Sequence, residues 1–390
     1  MQSLEMNSRY SAPSEVTPTA TGALLALAAA QDDDQIEREF LRARALAPEI
    51  TAKGLRAISE IVGARFYVPP SMLARILREA DPVATVSPGV VRFEGFSACC
   101  SAYIRLDIDD DALDIAHRQN GTTKVDFGDE LRGELARVRR DSTFDIKIGA
   151  EAVEIAHDAT TLIERKVPLP LRWVKGFGEV QVAMAQMVPA FSVSRIAAHR
   201  FLRSVPRGKA DHHQWIAPAA GGLRSTARQT PESVPLRGGN RLGVLEALVP
   251  LAQDMQVYVN AAQGSTAWVL DFKTQRLVLV LNAEPWRGFS GDGGLLSNLA
   301  DENDAAVTAL RGQLHWQRKI DVPTLCAATG LGQGAVENGL ARAAALGLVG
   351  FDLAQGAYFH RVLPFRAERL LAMNPRLRAA FALIDGGGVS

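Results

Sequence analysis

Apolar residues change their spacing along this chain, and each change marks a change of element. From residue 22 to about 80 they recur at helical spacing. Ile36, Phe40, Leu41 and Ala43 would share one side of a helix, and Leu55, Ile58, Ile61 and Val62 one side of a second. Pro69-Pro70 interrupts the pattern, and Met72, Leu73, Ile76 and Leu77 restart it as a short helix. From Val83 the period shortens to two, which predicts strands over 90–96 and 102–108. Gly128-Asp129 then opens a helix with Leu131, Leu135 and Val138 on one side. Strands over 144–148, 152–155 and 162–167 follow, closed by Pro168 and Pro170.

Helices are expected over 173–186 and 194–204. The stretch 206–241 reads as loop, with Gly221-Gly222 and Gly238-Gly239. A helix over 241–252 carries Leu242, Leu245, Leu248 and Val249, and strands over 256–259, 266–270 and 276–281 come next. A helix followed by three strands therefore occurs twice, at about 128–167 and 241–282. A helix with one apolar face must cover a sheet face, so the expected class is α+β with two similar helix-plus-antiparallel-sheet modules. The two modules loosely resemble the helix-plus-sheet repeats of sliding DNA clamps.

The C-terminal pattern is a third kind. Helices over 304–314, 321–330 and 333–346 are followed by apolar strands over 348–352 and 356–362. Asp321 is a helix N-cap with Pro323 in the first turn, Gly330-Leu331-Gly332 is a turn, and Gly347 ends the third helix. This is the order of a winged helix-turn-helix. Its third helix offers Gln333, Asn338 and Arg342 to a nucleic acid, opposed by Glu337 and diluted by alanines, so protein docking and DNA reading are both open to it. The expected organisation is a disordered N-terminus over 1–20 and a helical segment over 21–82. The α+β modules take 83–190 and 191–290, the winged helix 300–365, and a basic helix and tail 366–390.

Composition narrows the class without naming a reaction. At 47% hydrophobic and 22% charged, the chain is globular rather than disordered. Gly22 to Ala30 is apolar but short, with a single preceding Arg9 and Asp32-Asp33-Asp34 after it, which argues against a signal peptide. No apolar run approaches the roughly 18 residues of a membrane helix. Cys99, Cys100 and Cys326 show no metal-binding spacing and suit a reduced, cytoplasmic protein.

The chemical motifs are sparse. Asp107, Asp109, Asp110, Asp111 and Asp114 cluster at a strand end; a divalent-metal hydrolase is the functional reading, a solvated acidic turn the plain one. His212-His213 read as exposed loop residues, and His360 as a packing or hydrogen-bonding residue. Gly288 to Gly294 lacks the Lys-Ser/Thr of a phosphate loop and reads as a linker. There is no G-x-S-x-G and no H-E-x-x-H, so no catalytic residue and no cofactor is expected.

Charge is balanced over the whole chain, 43 basic against 43 acidic residues, but not along it. Nine basic residues lie between Arg195 and Arg241 against only Asp211 and Glu232. Arg361, Arg366, Arg369, Arg376 and Arg378 oppose only Glu368. Basic, glycine-bearing loops suit phosphate backbones, so non-specific DNA is a candidate partner. The candidate contact residues are Arg203, Arg207, Lys209, Arg224, Arg228, Arg237, Arg342, Arg376 and Arg378.

Several strings resemble those of bacterial SWIM zinc-finger family proteins, in the region before the metal-binding module. They are Phe93-Glu94-Gly95-Phe96-Ser97-Ala98-Cys99-Cys100, Gly121-Thr122-Thr123-Lys124-Val125-Asp126, Arg165-Lys166-Val167-Pro168-Leu169-Pro170 with Trp173 and Gly176-Phe177, Phe201-Leu202-Arg203-Ser204-Val205-Pro206, Ala357 to Phe365, and Asn374-Pro375-Arg376-Leu377-Arg378. The resemblance implies contacts with DNA or partner proteins, and association with MoxR-type AAA+ ATPases and von Willebrand A-domain proteins. The C-x-C that opens the family's zinc site is missing, so zinc ligation passes to no residue here; the chain is expected to be a shortened relative or to stop short of the module. The leading expectation is a non-enzymatic binding or scaffold subunit.

Overall fold

The computed structural model describes residues 8–10, 15–19, 22–26, 30–32, 39–64, 81–167, 169–208, 214–284, 288–289 and 304–363. At the N-terminus β1 (Ser8–Tyr10) pairs with β4 (Ala30–Asp32), and β2 (Glu15–Thr19) with β3 (Gly22–Ala26). The helix expected to begin in this apolar run is therefore a strand, and residues 15–19 are paired rather than disordered. A run this short cannot be assigned by periodicity alone.

β5 (Glu39–Ala45) is a second correction, since a helix is expected there. Leu41, Ala43 and Ala45 are buried while Arg42 and Arg44 are exposed, which is a period of two. The next helix is as expected: α1 (Pro48–Gly63) starts with Pro in its first turn and buries Leu55, Ile58, Ile61 and Val62. Met72 to Leu77 lie outside the described residues.

The chain then lays down β6 (Val83–Ser87), β7 (Val90–Phe96), β8 (Ala102–Asp109), β9 (Leu113–Arg118), β10 (Gly121–Lys124) and α2 (Asp129–Leu135). The meander β11 (Phe144–Gly149), β12 (Ala152–His157) and β13 (Thr160–Arg165) follows, then α3 (Leu171–Ala185). The second half has β14 (Val188–Ser194), α4 (Arg195–Ser204), β15 (Gln214–Ala219), β16 (Gly222–Thr226) and β17 (Val234–Leu236). It ends with the meander β18 (Asp254–Asn260), β19 (Ser265–Asp271) and β20 (Gln275–Leu281).

Two expectations fail in this half. The stretch read as loop contains a three-stranded sheet, β16-β15-β17, whose hairpin turns at Gly221 with φ +81°. Residues 241–252 form two 3₁₀ turns, Gly239–Leu245 and Val249–Leu251, not an α-helix. Gly243 and Pro250 sit where a helix would need strong formers.

The fold is α+β with antiparallel sheets. An eight-stranded sheet runs β10-β6-β7-β8-β20-β19-β18-β14, and a five-stranded sheet runs β13-β12-β11-β5-β9. The eight-stranded sheet takes strands from both halves through the β8–β20 pairing. The expected boundary at 190/191 falls within β14. The halves do share a pairing plan. In each, the strand before a helix pairs with the first strand of the following meander, β5 with β11 and β14 with β18. One continuous apolar core underlies both. No helix among the described residues is long and apolar enough to cross a membrane.

The C-terminal unit has α5 (Asp304–Arg311), α6 (Val322–Thr329), α7 (Gln333–Ala345) and the hairpin β21 (Val349–Asp352) with β22 (Ala357–His360). The helices and hairpin fall where the sequence places them, with Asp321 capping α6 through the Thr324 N–H at 3.0 Å. Leu310, Ile320, Leu325, Val336 and Leu340 form its own small core. Its third helix, α7, also packs along α3. Ala343, Ala344 and Ala345 are buried, and small side chains of this kind let helices approach closely.

Candidate functional site

Two features stand out: a buried charge junction and an outward-facing set of arginines. The junction begins with alternation. Arg92 and Glu94 on β7, and Tyr103, Arg105 and Asp107 on β8, sit at every second position, so each set lies on one face of its strand. All five are buried. Over them lie α3 and the C-terminal hairpin. Arg361, just past β22, pairs with Glu94, and both are fully buried. Tyr103 donates to the other Glu94 oxygen at 2.6 Å. Arg105 binds Asp107 at 2.8 and 2.9 Å and donates to the Phe351 carbonyl at 2.7 Å. Arg92 lies 3.3 Å from Asp107 and 3.7 Å from Asp352, with its guanidinium 3.6 Å from the Phe359 ring centre. Gln181 on α3 accepts the Phe351 N–H at 2.6 Å.

Burial pulls the Arg92 pKa down and pushes that of Tyr103 up. Burial also pushes Asp352 up, but Arg105, Arg92 and Arg276 outweigh it and hold this carboxyl below the usual range. Aromatic rings surround the charges. Phe96 lies 5.8 Å from Trp173 and 5.0 Å from Phe177, and Arg361 lies 4.9 Å over Phe177. Several strings that carry the family resemblance thus meet in one buried place. His360 packs edge-on against Trp316 at 5.2 Å, and burial lowers its pKa to about 4, so it is a neutral packing residue at neutral pH.

In the acidic run, three of the five carboxylates meet arginines. Asp107 faces Arg92 and Arg105, Asp109 accepts from Arg318 at 2.6 Å, and Asp110 accepts from Arg118 at 2.6 Å. Arginines thus pair with Asp107, Asp109 and Asp110, while Asp111 and Asp114 are exposed, and no group of three metal-ligating side chains occurs among the described residues.

Another cluster has the outline of a triad. His157 lies 2.6 Å from Glu134 through Nδ1 and 3.1 Å from the Ser142 hydroxyl through Nε2. Asp158 also sits 3.2 Å from Nε2. The ring thus bridges two carboxylates and a hydroxyl on neighbouring elements. The cluster reads as a tie between α2, the 139–142 turn and β12. An open depression of about 440 Å³ lies on the five-stranded sheet. Its Arg44 and Asp145 are paired at 2.7 Å, and Lys147 lies 4.0 Å from Glu154.

The arginine face is built on α4. The Ser194 hydroxyl accepts the Ala197 N–H, which starts the helix. Ala197, Ala198, Phe201 and Leu202 are buried, and Phe201 stacks on Trp268 with ring centres 5.6 Å apart. Arg195, Ile196, Arg200 and Arg203 are left exposed. β16 packs against the helix so closely that a Cβ at Gly222 would lie 2.9 Å from that of Ala197. This brings the exposed Arg224, and Arg228 just beyond it, onto the same unit. Arg195, Arg200, Arg203, Arg224 and Arg228 have no carboxylate partner among the described residues, whereas Arg207 pairs with Glu246 at 2.5 Å.

The other candidates divide. Arg237 is half-buried, and burial lowers its pKa. Arg342 is 9% exposed and packed into the C-terminal unit, so it is not offered to a polyanion. Lys209, Arg376 and Arg378, and also His212-His213, lie outside the described residues. Arg195 and Arg200 were absent from the expected contact set. Their spacing with Arg203 along one side of a helix was the available signal.

No family model and no curated protein matches this chain. Among solved structures it is similar to proliferating cellular nuclear antigen from Entamoeba histolytica. The identity is 9% and the TM-score 0.40, over 63% of this chain and 98% of that one. A likeness this remote carries no argument about function.

Two predictions follow from the buried charges. Arg361→Met should lower stability to chemical denaturation by about 3–5 kcal/mol, because the buried Glu94 loses its cationic partner and keeps only the Tyr103 hydroxyl. Adding Glu94→Leu should restore much of the loss, which a double-mutant cycle would read. The second concerns Asp81, whose pKa rises to about 7 because of burial and the neighbouring Asp126, against the pull of Lys124. An acid with a raised folded pKa stabilises the fold below its unfolded value and loses that contribution as pH rises through the folded one. Stability should therefore fall between about pH 4 and about pH 7, and Asp81→Asn should flatten the profile.

Proposed function

We propose that this protein is a binding subunit rather than an enzyme, and that it holds the phosphate backbone of nucleic acid through the arginine face of α4 and the β15–β16 hairpin. The observation that carries this reading is the group of five exposed arginines without carboxylate partners among the described residues, on two elements packed against each other. Such a group attracts a polyanion without requiring a base sequence. The exposed Ile196, 60% accessible, lies among them and offers apolar contact to sugars or bases.

The C-terminal unit is read as a winged helix turned to internal docking. Its third helix lies along α3, its hairpin covers the charge junction, and its outward side presents Gln333, Glu337 and Asn338. Gln333 and Glu337 hydrogen-bond each other at 2.8 Å, which occupies two of its few polar groups. A cytoplasmic location and assembly with an AAA+ ATPase or a von Willebrand A-domain protein are part of the same proposal, and rest on the sequence resemblance.

The test is binding of a labelled duplex, measured across salt concentrations. Neutralising about five phosphates gives a slope of roughly −4 to −5 in log K against log salt. Replacing Arg200, Arg203 and Arg224 by Glu should abolish binding. Salt-independent affinity, or unchanged affinity in that variant, would overturn the proposal.

A further inference from the structure

One buried cation has no part in the junction or the arginine face. Arg241, in the 3₁₀ turn after β17, is 5% exposed. No carboxylate pairs with it among the described residues, and its guanidinium donates to a sulfur instead, from Nη2 to Cys99 Sγ at 3.3 Å. Gly238 makes the space, since a Cβ there would lie 2.6 Å from Nη1. An isolated buried charge is costly, and an anionic sulfur is its available counter-ion.

The loop that carries Cys99 supplies more donors. Ser97 Oγ accepts two backbone N–H groups, from Ser101 at 3.1 Å and Ala102 at 3.0 Å. Its lone pairs are thus engaged and its proton is available to Cys99 Sγ, 3.5 Å away. Ser101 Oγ lies 3.0 Å from the same sulfur. One guanidinium donor and two hydroxyls able to donate, from two separate parts of the chain, converge on one atom. Cys100 is buried, but Cys99 is partly exposed, so a small reagent can reach it. Charge and hydrogen-bond donors of this kind favour the thiolate, which is the nucleophilic form.

We propose that Cys99 is held as a thiolate by Arg241, Ser97 and Ser101, and is a site of oxidation by hydroperoxides. In that step the sulfur attacks one peroxide oxygen. An S–O bond forms and the O–O bond breaks. With hydrogen peroxide, an OH group passes to sulfur and hydroxide leaves, to be protonated to water by the acid form of the buffer. The thiolate is oxidised by two electrons to a sulfenic acid, and the peroxide is reduced to water. The assignment is independent of the nucleic-acid reading.

The experiment uses the full chain, alkylated with iodoacetamide across a pH series, with each cysteine followed by peptide mass spectrometry. Cys326, also partly exposed, is the internal reference. Cys99 should react roughly fivefold faster than Cys326 at neutral pH, with a midpoint about one pH unit lower. Arg241→Met should remove the difference and Arg241→Lys should keep part of it. If Arg241→Met does not fold, Ser101→Ala should raise the midpoint. A Cys99 midpoint equal to or above that of Cys326 would overturn the thiolate assignment. Hydrogen peroxide with dimedone should then label Cys99, and a fast-alkylating Cys99 that takes no dimedone would overturn the oxidation step.

Discussion

The pairing of Arg361 with Glu94 joins the C-terminal unit to the rest of the molecule. Neither side chain has any accessible surface. Around them Arg92, Arg105, Asp107 and Asp352 complete a cluster in which three guanidinium groups face three carboxylates. Such charges are tolerable out of water only when they meet at close range and with hydrogen bonds. That requirement fixes the position of the hairpin against β7 and β8. Replacing such a cluster with apolar residues can be neutral or stabilising, so what it contributes here is position. With the hairpin in place, α7 lies along α3, and Arg342 is enclosed.

The docking explains why a helix with the order of a DNA reader is poor in reading side chains. Ala343 and Ala344 belong to the small core of the C-terminal unit, and the helix as a whole packs along α3. Meanwhile the basic character of the chain is expressed elsewhere, on α4, whose apolar side is fixed by the stacking of Phe201 on Trp268. The arginines on its other side have no carboxylate partner among the described residues.

Much of this was legible in the sequence where a single periodicity governs a stretch. The strands around Phe93 and Ile104, both meanders, α3, α4 and the C-terminal order of helices and hairpin all carry clear spacing. β5 was misread because Phe40, Leu41 and Ala43 satisfy both periods, and only the alternating Arg42 and Arg44 distinguish them. The β15–β17 sheet was missed because its strands are short and interrupted by Pro218 and Pro235. For the site, the count of basic residues was legible but their direction was not. Arg203 and Arg224 point out, while Arg241 and Arg342 are enclosed by elements distant in sequence. Arg92, Glu94, Arg105 and Asp107 alternate within apolar strands, a pattern that signals a sheet face covered by another unit.

The central claim is that polyanion contact is made by α4 and its neighbouring hairpin while the C-terminal unit stays docked. Amide hydrogen exchange of the full chain, with and without duplex DNA, tests it most directly. The account predicts added protection over 195–207 and 222–228 and none over 333–345. Protection concentrated over 333–345 and 349–360 would contradict it, because the third helix would then have left α3 to read the nucleic acid.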